Sequence, residues 1–422
     1  MLPVSQAEKI IFNLVQPLHR DRDTEVVTLL TAIDRIVAAP VTSNLDFPHW
    51  DNSAMDGYAV RYEDVRACSE LSPAVLEIVE EIPAGQEPQR VIQPGQAARI
   101  LTGAVMPVGA DTVVIQEQTR RDEERVFILA APKPQEFVRH RASFYQAGTP
   151  LLPSGITINA PEIAVLAAAQ CTHLTVYRRP RVAILSTGDE LVTPAQPLQL
   201  GQIVDSNQYA LAALVAQTGA EPVQLGIVPD KPEALKRAIA TALQTAEMVL
   251  SSGGVSVGDY DYVDQILAQL GAEIHIRAVA IKPGKPLTVA KFPAQSASNQ
   301  KPVLYFGLPG NPVSALVSFW RFVQPAIKKL SGLSHTWGPV FVKARSRHDL
   351  RSDGKRETYF WGQLHLVDGS YEFQLAGGSH SSGNLINLAQ TNGLAVLPVG
   401  QISISAGEQI QVLQVGAPIV RI

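Results

Sequence analysis

Apolar positions recur with two different periods along the chain, and the period changes from region to region. Between about residues 180 and 330, short apolar runs alternate with longer segments in which apolar residues recur every three or four positions. The runs are typical of buried strands and the segments of amphipathic helices. Strands begin near Arg181, Val223, Met248, Ile274 and Val303, and helices are predicted over 211–218, 232–245, 262–270 and 313–329. This alternation predicts a doubly wound, mostly parallel α/β sheet.

The flanking regions have shorter periods. From about residue 58 to 130, apolar and polar positions alternate between Gly and Pro punctuation, which predicts an all-β module. Helical spacing at 5–15 and 160–170 surrounds that module, so it is interpreted as an insertion into a discontinuous α+β domain. Past residue 333 the short alternating strands predict a small C-terminal β domain. The predicted boundaries are 1–47 with 141–178 for the discontinuous domain (dimerisation), 48–140 for the inserted β domain, 179–333 for the α/β domain and 334–422 for the C-terminal β domain.

Composition narrows the functional classes. The 422 residues carry a net charge of −4, so no global basic field indicates nucleic acid or an anionic membrane. Cys68 and Cys171 lie far apart without metal-ligand spacing, which argues against a disulfide framework or structural zinc. No apolar run approaches the roughly 20 residues that a membrane span needs. The first 15 residues do not form a signal-peptide pattern. We expect a cytoplasmic protein.

The segment S-S-G-G-V-S-V-G-D-Y-D-Y at 251–262 follows a predicted strand and precedes a predicted helix. Glycines let backbone N–H groups approach a ligand closely, and a helix N-terminus favours negative charge. Asp259 and Asp261 stand at its far side, an arrangement that suits a phosphate accompanied by a metal ion. A plain turn with Asp259 as helix N-cap explains the segment equally well when it is taken alone.

Other polar segments follow the neighbouring strands, and parallel strands bring their carboxyl ends to one edge of the sheet. They are S-T-G-D-E at 186–190, Pro229-Asp230, I-K-P-G-K-P at 281–286 and G-L-P-G-N-P-V-S at 307–314. Each is a weak signal alone, but together they gather the acids Glu190, Asp230, Asp259 and Asp261 with Lys282 and Lys285. Clustered acids repel one another unless a cation lies among them, and oxygen ligands suit Mg²⁺. Neither a P-loop nor a G-x-G-x-x-G fingerprint is present.

In these motifs the chain resembles the MoeA family of molybdopterin molybdenumtransferases and the E domain of gephyrin. The resemblance spans nearly the whole chain. It is carried by D-N-S-A-M-D-G-Y-A-V at 51–60, R-I-L-T-G-A at 99–104, P-x-G-A-D at 107–111, S-T-G-D-E-L at 186–191, S-S-G-G-V-S-V-G at 251–258, I-K-P-G-K-P at 281–286, G-L-P-G-N-P-V-S-A at 307–315, G-K-R-E-T-Y-F-W-G at 354–362 and T-N-G-L at 391–394.

The resemblance implies a four-domain subunit and a homodimer with a shared active site. It implies that adenylyl-molybdopterin and molybdate react to give molybdenum cofactor and AMP, with Mg²⁺ assisting. Contacts with molybdopterin adenylyltransferase and with molybdoenzymes are also expected. Glu190, Asp230 and Asp261 resemble the metal ligands, and Asp261 is also expected to take part in catalysis.

The resemblance also assigns binding residues. Those expected to hold the substrates are Thr187, Gly188, Ser252, Gly253, Gly254, Val255, Ser256, Gly258, Pro309, Gly310, Asn311, Ser314, Arg356 and Ser382. Within this set, Ser314, Arg356 and Ser382 resemble, with the catalytic Lys282 and Lys285, an oxyanion site for molybdate. Asp56, Thr102 and Arg139 are the remaining expected catalytic residues, and the first two resemble groups that reach into the partner's site. Without the resemblance, Asp56 is interpreted equally well as a turn cap and Arg356 as a surface arginine.

The chain departs from the family pattern after Arg139. Where the family has R-x-x-G-E-D, this chain has Ala142-Ser143-Phe144 in place of the glycine and the two acids. Asn387 and Thr391 are smaller departures. An active insertase is therefore weighed against a catalytically weakened member that carries molybdopterin or assists its assembly. A third alternative is a molybdopterin adenylyltransferase, whose single domain resembles region 180–330 of this chain. The additional β domains and the K-P-G-K segment argue against it.

Overall fold

The computed structural model describes residues 1–254, 260–294 and 301–421, of which residues 260–262 and 421 are described by their backbone alone. In these ranges the helices are α1 (Val4–Leu14), α2 (Tyr62–Val65), α3 (Ala160–Ala168), α4 (Asn207–Gln217), α5 (Pro232–Thr245), α6 (Tyr260–Gln269), α7 (Pro312–Ser318) and α8 (Gln324–Leu330). A π-helical turn, Phe319–Val323, joins α7 to α8, so the helix predicted over 313–329 contains one wider turn. No helix in these ranges is long and apolar enough to span a bilayer.

The central sheet has six strands, which we number in chain order: β1 (Arg181–Thr187), β2 (Glu221–Val228), β3 (Met248–Ser252), β4 (Glu273–Ala278), β5 (Pro286–Phe292) and β6 (Val303–Leu308). Their order across the sheet is β2-β1-β3-β6-β5-β4. The first four pair in parallel, and β5 runs antiparallel to both of its neighbours. The carboxyl ends of all strands except β5 therefore meet at one edge, called the rim below.

Helices cover both faces of this sheet because successive strand residues point to opposite sides. Val182 and Ile184 of β1 belong to a buried cluster that also contains residues of α1, α4, α7 and α8. The residues between and after them, Ala183 and Leu185, pack in a second cluster with residues of α5 and α6. The doubly wound architecture follows from this alternation and confirms the predicted fold class.

The chain leaves a smaller α+β domain to form the inserted β domain and then returns to it. Strand Thr24–Thr28 pairs antiparallel with His173–Tyr177, which brings distant parts of the chain together. Two short pairs accompany it, Val41–Thr42 with Pro150–Leu152 and Asn52–Ser53 with Val138–Arg139. The six-stranded sheet of the inserted domain has the order Thr112–Ile115, Gly57–Val60, Gln96–Ile100, Ala74–Ile82, Arg125–Ile128 and Thr119–Asp122.

The C-terminal β domain is a closed barrel. Its strands pair in a ring in the order Glu357–Val367, Ser370–Leu375, Phe341–Ser346, Gln409–Gln414 and Gly393–Leu397, and the last pairs again with the first. Two further strands, Ile281–Lys282 and Ile419–Arg421, pair in parallel with the long first strand. Because Ile281–Lys282 comes from the loop between β4 and β5, the barrel is attached directly to the rim. Short pairs Leu191–Val192 with Ile203–Val204 and Leu350–Arg351 with Ser403–Ile404 complete the strands.

Candidate active site

A cavity of about 1060 Å³ opens at the rim, and we call it the rim cavity. It lies where β1, β3 and β6 end side by side, because Ser186 is in register with Ser252 and Ser252 with Leu308. The predicted residues that line it are Thr187, Glu190, Asp230, Ser252, Gly253, Gly254, Pro309, Gly310, Asn311 and Ser314. Gly188 lies beside them, under the Glu190 carboxylate. The rim therefore gathers the segments that the sequence singled out.

The glycine turn after β3 packs tightly against the end of β1. Gly253 has φ +93°, in the region that favours glycine, and its backbone N–H donates to the Leu308 carbonyl at 3.3 Å. A Cβ on Gly253 would lie 2.3 Å from the Thr187 carbonyl oxygen. No side chain larger than hydrogen fits there without a shift of the backbone. The turn thus presents its main chain, rather than side chains, to the cavity.

Asn207, the first residue of α4, ties the cavity wall together. Its side chain is 7% exposed, and its Nδ2 donates to Ser252 Oγ and to the Gly310 carbonyl, both at 2.7 Å. Three other polar atoms in the wall, Asn207 Oδ1, Ser186 Oγ and Thr187 Oγ1, are buried without a hydrogen-bond partner in the described part of the chain. A buried polar group without a partner costs about 1–3 kcal/mol. Three around one cavity fit a polar ligand that supplies the missing bonds.

Two of the three predicted metal ligands, Glu190 and Asp230, line the rim cavity together. The third, Asp261, has only its backbone described, in α6, and Val255, Ser256, Gly258 and Asp259 lie outside the described residues. Among described residues, no group of three or more His, Cys, Asp or Glu side chains could hold a metal ion. Carboxylate oxygens from Glu190 and Asp230 are the donor chemistry that Mg²⁺ prefers. The donor set present therefore fits magnesium in kind.

A second cavity of about 440 Å³, called the basic cavity below, adjoins the first. The two share Pro286, Asn311 and Ser314 as lining residues. One wall comes from the α/β domain and the other from the barrel. The lining residues that matter for its chemistry are Lys282, Lys285, Ser314, Arg351, Arg356, Thr358, His380 and Ser382. All five residues predicted for an oxyanion site are among them.

The basic cavity has four cationic side chains and no carboxylate among its described lining residues. One acid lies just outside it, where Lys282 Nζ is 3.4 Å from Asp353 Oδ2. A backbone hydrogen bond from Lys355 chiefly, with Lys282 and Arg356 adding to it, holds the pKa of Asp353 below its ordinary value. Arg356 donates from Nη1 to the Ile281 carbonyl at 3.3 Å, which links the barrel to the rim loop. An excess of cations and hydroxyl donors fits a small oxyanion.

The inserted β domain places its predicted residues elsewhere. Asp56 Oδ1 accepts hydrogen bonds from the Thr102 hydroxyl and backbone N–H, both at 2.7 Å. These two bonds, the hydroxyl's first, hold the pKa of the exposed Asp56 below its ordinary value. Arg139 pairs with Asn52 in a short strand of the same region. Of the described residues that line the rim and basic cavities of one chain, none is Asp56, Thr102 or Arg139.

The segment Ala142 to Phe144, which departs from the family pattern, contains a residue with positive φ. Ala142 has φ +62°, a left-handed conformation that glycine adopts without strain. The chain therefore keeps at Ala142 the backbone conformation typical of glycine. Phe144 is 70% exposed, and its backbone N–H donates to the Phe47 carbonyl at 2.8 Å.

Several residues of the two cavities do not stand out in the sequence. Asp205-Ser206-Asn207, just before the predicted helix at 211–218, is typical of a helix cap, yet Asp205 and Asn207 both line the rim cavity. Asp205 accepts from the Gln208 backbone and side chain at 3.2 and 3.1 Å. Arg351 and His380 come from barrel segments without a motif. The D-S-N triplet at the start of α4 is a signal that could have found Asp205 and Asn207, whereas Arg351 and His380 have no such signal.

Comparisons with known proteins cover nearly the whole chain. Three family models match in order: the MoeA N-terminal region (domain I and II) over residues 2–169, a probable molybdopterin binding domain over 183–329, and the MoeA C-terminal region (domain IV) over 343–415. The chain is 66% identical over 414 residues to a molybdopterin molybdenumtransferase of a Nostoc species, covering 98% of this chain and 94% of that protein.

More distant relatives extend the match. The molybdopterin molybdenumtransferase of Haemophilus influenzae is 34% identical over 416 residues, covering 98% of each chain. The crystal structure of a molybdopterin biosynthesis MoeA protein from Pyrococcus horikosii matches with a TM-score of 0.80 and 29% identity, covering 99% of this chain and all of that one. The chain therefore belongs to the MoeA family of molybdopterin molybdenumtransferases and acts as a transferase in molybdenum cofactor biosynthesis.

Proposed function

We propose that this protein inserts molybdenum, converting adenylyl-molybdopterin and molybdate into Mo-molybdopterin and AMP. The observation that carries the proposal is the pair of adjoining cavities with different chemistry. The rim cavity offers backbone groups and unpartnered buried polar atoms, which fit a nucleotide and a pterin. The basic cavity offers four cations, which fit a tetrahedral dianion.

The shared wall explains how two substrates meet. Asn311 and Ser314 line both cavities, at the start of α7. Asn311 Nδ2 also donates to Ser382 Oγ at 3.2 Å, which links this helix to the barrel. Adenylyl-molybdopterin in the rim cavity and molybdate in the basic cavity would lie next to each other. Holding two reactants in place in this way removes much of the entropic cost of their encounter.

Charge neutralisation is the second requirement of the reaction. The phosphoanhydride-like bond to AMP breaks as an oxygen nucleophile, from water or molybdate, bonds to phosphorus, and both products leave with negative charge. Bound Mg²⁺ would neutralise phosphate charge there. Glu190, Asp230 and Asp261 would hold the ion. Lys282, Lys285 and Arg356 would bind the molybdate oxygens, with the Ser314 and Ser382 hydroxyls as further donors. Gly254 would offer a backbone donor to the nucleotide.

We infer in addition a homodimer in which Asp56, Thr102 and Arg139 serve the partner's cavities. The support is that Asp56 is exposed, is held ionised by Thr102, and lies outside both cavities of its own chain. Mixing inactive Asp56→Ala and Lys285→Ala proteins should restore roughly a quarter of wild-type activity, because half of the randomly formed dimers contain one intact site. No recovery after exchange of subunits would contradict a shared site. Molybdopterin adenylyltransferase and molybdoenzymes are proposed as transient partners on either side of the reaction.

The direct test incubates purified protein with adenylyl-molybdopterin, molybdate and Mg²⁺. AMP is measured by chromatography, and the cofactor by reconstitution of an apo-molybdoenzyme. We expect both products to increase together and to require molybdate. Tight binding of adenylyl-molybdopterin without release of AMP above background would overturn the insertase and favour the carrier.

The carrier alternative has one observation in its favour, the loss of two acids at Ser143 and Phe144. A double variant, Ser143→Glu with Phe144→Asp, restores them. Raised turnover would show that the missing acids limit this protein. An unchanged rate in an active wild type would show that the reaction here does without them.

A further inference from the structure

Arg321 is the centre of a buried polar network behind the basic cavity. It lies in the π-helical turn between α7 and α8 and is 5% exposed. Its Nη1 and Nη2 donate to the two Glu8 carboxylate oxygens at 2.9 and 3.0 Å. Its Nε donates to Tyr359 Oη at 2.9 Å, and that hydroxyl donates to Glu357 Oε1 at 2.5 Å. Each of the three guanidinium nitrogens therefore has a partner in the network.

The network joins three separate parts of the chain. Glu8 belongs to α1, 313 residues before Arg321 in sequence. Tyr359 belongs to the long barrel strand that pairs with Ile281–Lys282. One guanidinium thus connects the N-terminal helix, the α/β domain and the barrel. Packing of apolar groups alone would hold these parts less specifically, because a bidentate arginine–carboxylate pair has one preferred geometry.

The parts that the network joins are the two walls of the basic cavity. The helical stretch that carries Arg321 includes the lining residue Ser314 in its first turn. The strand that carries Tyr359 contributes Thr358 and Tyr359 itself to the opposite wall. Neither Glu8 nor Arg321 lines the cavity, and Arg321 with Glu357 lines a separate cavity. Of the network's residues, Tyr359 alone therefore lines the basic cavity.

The network stays charged. Burial alone would lower the pKa of Arg321, but the hydrogen bonds and charge of Glu8, together with the hydrogen bond to Tyr359, raise it above its ordinary value. Burial raises the pKa of Tyr359 well above its ordinary value, so its hydroxyl remains a donor. A buried ion pair adds little net stability compared with apolar packing, yet it is costly to leave half-paired. Its contribution is to one relative placement of the parts that carry it.

We propose that Glu8, Arg321 and the Tyr359 hydroxyl form a positioning network that sets the width of the basic cavity and thereby its affinity for molybdate. The inference rests on the proposed function for the identity of the oxyanion. Glu8 and Arg321 act through Tyr359 and Thr358, which line the basic cavity and not the rim cavity. The rim cavity lies beyond this contact and keeps its own wall contacts through Asn207.

Two conservative variants test the network without creating a cavity in the core. Tyr359→Phe removes only the hydroxyl, and Glu8→Gln keeps the shape but removes the charge. Isothermal titration with molybdate alone, and separately with AMP, reports on each cavity without turnover. We expect molybdate affinity to fall about tenfold or more in each variant, since small misplacements of binding groups have large effects. AMP affinity should change less than about twofold, because the rim contacts are unaltered.

A matched control separates positioning from general stability. Glu372 pairs with Arg347 at 2.6 Å within the barrel and lines neither cavity. Glu372→Gln removes a comparable carboxylate without touching the junction between domains, so both affinities should stay at wild-type values. Urea unfolding of all variants identifies any loss of folded protein. Arg321→Lys should lower molybdate affinity as the other variants do, because a single ammonium does not bind Glu8 and Tyr359 in the same fork geometry.

The outcomes distinguish the inference from the function on which it rests. If wild type binds molybdate and the two network variants bind it equally well, the positioning network is wrong and the proposed function stands. If molybdate and AMP affinities fall together, the network is a general structural contact and the inference is again wrong. If wild-type protein does not bind molybdate, the assignment of the basic cavity fails and the inference fails with it.

Discussion

Replacing Gly253 with alanine tests whether the close contact between β1 and the turn after β3 shapes the rim cavity. Two costs follow from the geometry. The left-handed φ of +93° strains any residue with a Cβ by about 1–2 kcal/mol. The new Cβ would also lie 2.3 Å from the Thr187 carbonyl oxygen, an overlap whose relief costs about 1–3 kcal/mol. The total loss in free energy of unfolding should be roughly 2–5 kcal/mol.

Gly271→Ala is the matched control for this substitution. Gly271 has φ +87°, and no atom beyond its two chain neighbours lies within 4 Å of the position that a Cβ would take, so it carries the strain without the overlap. Urea unfolding should show the Gly253 variant to be less stable than the control by about 1–3 kcal/mol. Its affinity for adenylyl-molybdopterin, measured by titration, should fall at least about tenfold if the overlap shifts the turn. Equal stability of the two variants, or unchanged affinity, would refute this explanation of the cavity wall.

Three further predictions concern Asp261, Ala142 and the Asp56–Thr102 pair. Asp261→Ala should lower turnover more than affinity for adenylyl-molybdopterin, because its proposed role is on the metal; a collapse of affinity with unchanged Mg²⁺ dependence would contradict that role. Ala142→Gly should raise the free energy of unfolding by up to about 1 kcal/mol by relieving the strain at φ +62°. A lower free energy of unfolding for the variant, measured in urea, would contradict this explanation. The lowered pKa of Asp56 contributes stability that is present above its unfolded value and lost as pH falls through the folded value. Thr102→Val should raise the pKa of Asp56, which an NMR titration of the carboxyl group measures, so the loss of stability should begin at a higher pH. An unshifted pKa would show that the hydrogen bond from the Thr102 hydroxyl is unimportant.

Sequence patterns predict most of the α/β domain because its central strands are buried on both faces. Runs such as Met248 to Leu250 are continuously apolar, so the pattern distinguishes them clearly from polar loops. The rim segments can also be predicted, since parallel strands place their carboxyl ends together whatever their order in the sheet. From the glycine segment at 251–262, for which a plain turn is an equal alternative from sequence, Ser252, Gly253 and Gly254 line one cavity with Glu190 and Asp230.

The basic cavity depends on contacts that have no local signal. Lys282 and Arg356 come together because a two-residue strand from the rim loop pairs with the barrel, and a pattern of alternation does not reveal that partner. The closure of the barrel between its first and last strands is equally nonlocal. The Glu8–Arg321 pair joins residues that are far apart in the chain. For these features the sequence offers the residues, and the packing of domains decides which of them meet.

Asn207 illustrates a different difficulty. A polar residue at the start of a helix predicts a cap, and a cap alone is enough to explain Asn207 in the sequence. In the structure its amide instead spans the ends of β3 and β6 at 2.7 Å, with its oxygen left for a ligand. Only the burial of the side chain distinguishes the two roles.

The molybdate dependence of AMP release tests the central claim, that the two adjoining cavities hold the two substrates, most directly. Arg356→Ala removes one cation from the basic cavity and leaves the rim cavity untouched. A hydrogen bond to a charged group is worth about 1.5–3 kcal/mol, so the KM for molybdate should rise roughly 10- to 100-fold. The KM for adenylyl-molybdopterin should remain near the wild-type value. Release of AMP that is independent of molybdate in the wild type, or a variant that loses affinity for adenylyl-molybdopterin instead, would contradict the claim.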